Sequence, residues 1–171
     1  MKTTPVIKSM NYQADGQDVR QCLLIDIGRN RLIVPRVLVV EIIDFEGLAL
    51  DNSYASEIAM FSWRGVDVPL VATQVIDPEY QDDFTPDSKV VIFHGVARSA
   101  TVPFYAIKTR RNPRLLNVAE DDIAELSSMT LLSEAELMCV DVNAETAIIP
   151  CVDYLESYIH DVCVGNKAQG A

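Results

Sequence analysis

Apolar residues in this chain come in short blocks separated by turn formers, and only the last block repeats at helical spacing. Residues 22–27 run apolar except for Asp26, and Gly28-Arg29-Asn30 leads into Arg31-Leu32-Ile33-Val34. Two such runs joined by glycine and asparagine predict a first hairpin, closed off by Pro35. The next block, Val37-Leu38-Val39-Val40-Glu41-Ile42-Ile43, fits a buried strand on β-propensity or a short helix on context. Residues 44–56 form a polar loop, and residues 57–61 and 66–72 flank Trp63-Arg64-Gly65 as a second hairpin. Two prolines and the acids Asp77, Glu79, Asp82, Asp83 and Asp87 mark residues 77–88 as an exposed connector.

Further on, Lys89-Val90-Val91-Ile92-Phe93 and residues 102–107 read as strands, with Pro103 at a strand start or edge. Residues 114–118 are expected to pair locally. Asn117, with Glu120 three residues later, matches a capping box and predicts a brief helix through Leu126. Residues 136–142 and 146–149 form a last hairpin around Asn143-Ala144-Glu145. Pro150 suits the first position of a helix. Val152, Leu155, Ile159 and Val162 then recur at three- and four-residue spacing, with Asp153, Glu156 and Asp161 on other faces. Many short strands and one closing helix predict a mainly β, barrel-like fold rather than a parallel α/β sheet. Residues 1–18 read as a flexible leader, 19–164 as the folded domain and 165–171 as a flexible tail.

Composition narrows the function more than the fold. At 171 residues the chain can bury a core without staples, and 49% apolar residues exceed what a disordered chain carries. A net charge of −11 argues against nucleic acid as partner. The one basic cluster, Lys108-Thr109-Arg110-Arg111-Asn112-Pro113-Arg114, lacks interleaved aromatics and reads as a solvated hairpin rim. No apolar run is long enough for direct membrane insertion, and a cytoplasmic location follows as the simplest expectation. Cys22, Cys139, Cys151 and Cys163 show no metal-ligand spacing and lie in or beside apolar runs, as packed thiols do. No cofactor motif is present: neither the dinucleotide nor the mononucleotide glycine pattern occurs.

Catalytic candidates are weak. His94 and His160 have no spaced partner, and Cys151 draws interest only from its place before the last helix. A small enzyme built on Cys151 or His94, and a self-associating structural subunit, are the alternatives to a binding protein. Arg64 is different, because Trp63, Val66 and Val68 would shield its stem and a shielded guanidinium needs an anion. Glu41 is the acid within the apolar run 37–43, so a partly buried Glu41–Arg64 pair would tie that segment to the second hairpin. Trp63 is either a core residue or an exposed interface anchor.

These motifs together resemble the CheW-like family of chemotaxis coupling proteins. The likeness rests on Cys22-Leu23-Leu24-Ile25-Asp26-Ile27-Gly28, on Val40-Glu41-Ile42-Ile43, and on Trp63-Arg64-Gly65-Val66-Asp67-Val68-Pro69-Leu70-Val71. Ala147-Ile148-Ile149-Pro150-Cys151-Val152-Asp153-Tyr154-Leu155 resembles the family's closing strand and helix. The resemblance implies two SH3-like β-barrel subdomains around a shared core, and a short helix over the run at 37–43. It also implies a non-catalytic adaptor that binds the cytoplasmic tip of a chemoreceptor and the regulatory domain of a CheA-type histidine kinase. Carried over, Glu41 and Arg64 match the paired acid and arginine, Gly65 the turn glycine and Pro69 the strand proline. Val37 and Val40 would line the receptor groove, and the edge around the second hairpin would take the kinase. The chain departs from the family at Ala72 and Thr73, at Lys108, and at Trp63, where leucine is common. Those departures resemble divergent members, including the branch that controls type IV pilus twitching motility.

Overall fold

A computed structural model of the chain describes residues 18–53, 55–81, 85–97 and 102–169, with side chains to residue 165. The strands are β1 (Val19–Asp26), β2 (Arg31–Pro35), β3 (Val39–Asp44), β4 (Ile58–Trp63), β5 (Val66–Val71) and β6 (Lys89–His94). They continue with β7 (Phe104–Thr109), β8 (Arg114–Ala119), β9 (Ile123–Glu125), β10 (Glu136–Val142) and β11 (Glu145–Pro150), and helix α1 (Val152–Gln169) follows. One sheet has the order β8-β1-β2-β11-β10-β9 and the other β3-β6-β7-β5-β4. The middle of the chain therefore makes the second sheet, and the N-terminal hairpin joins the C-terminal third to make the first.

Alternation along single strands shows how the two sheets pack. Successive side chains point to opposite faces of a strand. Leu23 and Ile25 enter a core shared with Phe93, Tyr105, Ile107, Leu155 and Ile159, whereas Leu24 enters a separate cluster with Ile33, Val140 and Val142. On β6, Val91 and Phe93 face the shared core, and Val90 and Ile92 face a third cluster with Phe61, Val68, Leu70 and Ala106. A strand buried on both faces reads as one apolar run, which is why residues 22–27 and 89–93 lack the alternation of a half-exposed strand. Each private cluster draws on every strand of its sheet, both edge strands included. The result is mainly β, as the strand pattern predicts, with two mixed sheets that each carry a cluster of their own and a C-terminal helix against the core they share.

The hairpins expected from the turn residues form: β1 pairs with β2, β4 with β5 and β10 with β11. Other expectations fail for tertiary reasons. Residues 39–44 are strand, and only Arg36–Leu38 make a helical (3-10) turn, because β-branched residues here pair antiparallel with β6. Residues 114–119 pair with β1 instead of locally, returning across the whole second sheet. The capping-box helix at 117–126 is absent: β8 runs through Ala119, a 3-10 turn covers Glu120–Asp122, and β9 follows. The capping carboxylate is that of Asp122, which accepts the Ala119 amide at 2.8 Å. Pro150 ends β11 rather than starting α1. In the connector 77–88, Asp77 and Ser88 are buried, while Asp82 and Asp83 lie outside the described residues, as does the leader through residue 17. Leu155 and Ile159 are buried as the helical spacing predicts, but Glu156 is completely buried instead of solvated.

Candidate functional site

The sequence-predicted residues Glu41, Trp63, Arg64 and Gly65 meet at one end of the second sheet. Glu41 is on β3 and Trp63 on β4, the two opposite edges of that sheet, so their contact spans the open seam of a rolled sheet. A β-bulge between Val39 and Glu41 sets this up, with Val39 opposite Phe93 and Glu41 opposite Ile92. The extra residue moves Glu41 from the shared-core face onto the face of Ile92, inside the rolled second sheet. Trp63 shares the inward face of Phe61 on β4, two residues before it.

Three interactions close the seam. The Trp63 Nε1–H donates to Glu41 Oε2 at 2.6 Å, and Arg64 Nη2 donates to Glu41 Oε1 at 3.2 Å. The Arg64 guanidinium carbon stands 5.1 Å from the centroid of the Trp63 ring. Trp63 meets the Phe104 ring edge-on at 5.3 Å and 68°, and Phe104 in turn touches the exposed His94 ring at 5.9 Å. The Glu41–Arg64 pair exists as predicted, but with the Arg64 side chain 70% exposed and Glu41 33% exposed, water screens much of the attraction. The bond from the indole is the contact sequence reasoning missed. It leaves Trp63 half-buried, neither a core residue nor a free anchor.

The turn that carries Arg64 is a two-residue hairpin loop with φ of 49° at Arg64 and 77° at Gly65. Positive φ at both positions is the type I′ geometry whose twist matches the flanking strands. An added Cβ at Gly65 would meet nothing within 4 Å, so backbone conformation, not space, selects glycine there. Pro69 lies opposite Met60, whose own N–H and C=O both bond Asp51 on the far side of β4. The proline nitrogen therefore points away from β4, and that ladder loses no hydrogen bond. Val37 is 77% exposed on the link between the sheets, whereas Val40 is half-buried against the second sheet's core. These two residues thus do not share one environment.

Replacing Glu41 with alanine is expected to leave the indole N–H without its acceptor and the seam without its tie. About 1–2 kcal/mol of stability should be lost, from one charge-assisted bond and a screened ion pair. Trp63 is the single tryptophan, so a shift in its emission maximum in the folded variant reads the change directly. An unshifted spectrum with unchanged stability would show that the seam does not depend on Glu41.

Among the described residues, no side-chain hydrogen bond joins His94 or Cys151 to an acid or base; the Cys151 backbone instead donates to Ala135 O and starts the helix by accepting from Leu155. Among the described residues no group of His, Cys, Asp and Glu is placed to hold a metal ion, and no helix is long and apolar enough to cross a membrane.

No protein-family model matches the sequence, and no curated protein matches it. A solved structure does: the scaffolding protein TtCheW from Thermoanaerobacter tengcongensis aligns with a TM-score of 0.65 at 12% identity, over 80% of this chain and 91% of that one. At that identity the likeness is one of fold, and the chain has a CheW-like β-rich fold.

Proposed function

We propose that this chain is a non-catalytic scaffold that couples a chemoreceptor to a CheA-type histidine kinase in the cytoplasm. The observation that carries the reading is the Glu41–Trp63–Arg64 tie across the seam of a CheW-like fold. Its acid and arginine occupy the positions that the sequence resemblance assigns to the receptor-binding side. The tie fixes the exposed Arg64 guanidinium and the partly exposed Val66 at a hairpin tip, a rigid presentation suited to docking rather than chemistry. Such a scaffold acts by binding one state of the kinase better than another, and it shifts autophosphorylation only by that difference in affinity. The departures at Ala72, Thr73, Lys108 and Trp63 support a divergent adaptor, which we assign to the branch that controls type IV pilus twitching motility; a deletion strain with normal twitching would remove that assignment.

The direct test is Arg64→Glu. The side chain is mostly exposed, so a stability change below about 1 kcal/mol is expected. Affinity for the receptor tip in a calorimetric titration should fall by roughly tenfold or more, because the new carboxylate faces Glu41 and reverses the charge at the tip. A folded variant that keeps its affinity sinks the role given to Arg64, and a chain that retains no kinase on purification from its native cell sinks the scaffold reading.

A further inference from the structure

One end of the first sheet is rimmed by arginine. In register, Arg31 on β2 faces Asp26 on β1, and Arg114 on β8 faces Leu24 on β1. Cross-strand partners share a face, and the face of Leu24 is the inside of the first sheet. The three strands and the β7–β8 link thus enclose a cavity of about 190 Å³ lined by Leu24, Asp26, Arg31, Arg111, Asn112 and Arg114. On a chain of net charge −11 this is a place where guanidinium groups outnumber carboxylates.

The rim already handles a carboxylate. Glu145 Oε2, reaching in from β11, accepts from Arg31 Nη1 at 2.9 Å and from Arg114 Nη2 at 2.5 Å. The hydrogen bond from Arg114, with the charges of Arg114 and Arg31, holds the Glu145 carboxyl below its ordinary range. Arg111 spends only Nε, on Asp26 Oδ2 at 3.1 Å, and its side chain is 68% exposed. Among the described residues its two terminal nitrogens have no partner, and neither has the Asn112 amide. A guanidinium fork and an amide at one cavity edge match the geometry of an incoming carboxylate. Next to it, across Arg111 and Asn112, a second cavity adds Lys89 and Arg110, with Asp87 as its acid.

We infer that the arginine rim of the first sheet is a docking site for an acidic segment of a partner protein, with Arg111 and Asn112 receiving its carboxylate beside the Arg31–Glu145–Arg114 clamp. The net charge of the chain disfavours a long polyanion such as nucleic acid, while a short segment places one or two carboxylates within the rim's reach. This site lies on the other sheet from Glu41 and Arg64, and the inference does not depend on the scaffold reading.

The test is an amide-resolved NMR titration of the full chain with a blocked Glu-Asp-Glu-Asp peptide at low salt, with inorganic phosphate in a parallel arm. Shifts centred on residues 24–31 and 110–114 are expected, weakening roughly tenfold as salt rises from about 20 to 200 mM. Arg111→Gln should weaken binding by about fivefold or more, since it removes a charge-assisted fork. Arg20→Gln, at the far end of β1 and paired among the described residues with Asp18, should leave it unchanged. If Arg111→Gln does not fold, Asn112→Ala, which breaks no hydrogen bond among the described residues, takes its place with a smaller loss expected. Absence of peptide shifts, unchanged affinity in the folded rim variants, or phosphate shifting the same amides while the peptide does not, each overturns the proposal.

Discussion

Replacing Gly95 with alanine is expected to be the most damaging single-methyl change in this chain. A Cβ at this position would stand 1.4 Å from the carbonyl oxygen of Val102 and 2.9 Å from Glu156 Oε1. The nearest atom is backbone, so no side-chain rotation relieves the clash. The two segments are also held together there, because the Gly95 amide donates to the Pro103 carbonyl at 2.8 Å. Alanine must push β6 and β7 apart just beyond the His94–Phe104 pair, where both strands enter the shared core. A loss of roughly 3 kcal/mol or more is expected, a large share of the 5–15 kcal/mol typical of a domain. Denaturant unfolding of the wild type and the variant measures it. A variant within about 1 kcal/mol of wild type would mean that the close approach of Gly95 to Val102 is not kept in solution.

The same region shows where sequence reasoning reached its limit. Hairpins were legible because their signals are local: Gly28 and Asn30, Arg64 and Gly65, and Asn143 and Ala144 each sit between β-prone runs. The two-residue turn at Asn143 and Ala144 repeats the positive φ of Arg64 and Gly65, at 51° and 65°. What failed needed a partner distant in sequence. The Asn117–Glu120 pattern is a sound local cap, but β1 offers residues 114–119 a full antiparallel ladder, and tertiary pairing overrides local propensity. The run at 37–43 satisfies strand and helix alike, and β6 decides between them. At the candidate site, the Glu41–Arg64 pair was readable as one acid in an apolar run and one arginine at a turn, although Arg64 is largely exposed rather than shielded. The bulge that turns Glu41 toward Trp63 was not, since a bulge carries no mark in the residues 39–41 themselves. Nor was the rim at Arg31 and Arg114, whose members become neighbours only through β1.

Glu156 carries the second large effect, and its helical position alone gives the wrong expectation. Spacing places it off the apolar stripe of α1, yet it is fully buried, with Oε1 accepting the Val96 amide at 2.7 Å and Oε2 the Ala97 amide at 2.9 Å. The helix thus supplies acceptors for two backbone donors that leave β6 with no strand to pair with. Glu156→Ala removes both acceptors and opens a void, for an expected loss of about 3–5 kcal/mol. Glu156→Gln keeps one acceptor but turns an amide donor toward the other N–H, and should lose roughly half as much.

The pH dependence separates the charge from the shape. Burial pushes the Glu156 carboxyl above its ordinary value, against the pull of the two amides, with Asp153 adding to the rise. A group with a raised folded-state pKa binds its proton more tightly in the native chain. Its contribution is therefore fully present below the unfolded value of 4.5 and is lost as pH rises through the folded one. Wild type should lose stability relative to Glu156→Gln as pH climbs from about 4.5 toward neutrality, since glutamine does not titrate. Glu136 has its carboxyl raised by burial as well, and it contributes equally to both chains, so the difference isolates Glu156. Unfolding free energies of the two chains at several pH values decide the matter: a constant difference would mean that Glu156 titrates as it does in the unfolded chain, and that the two amides fully offset its burial.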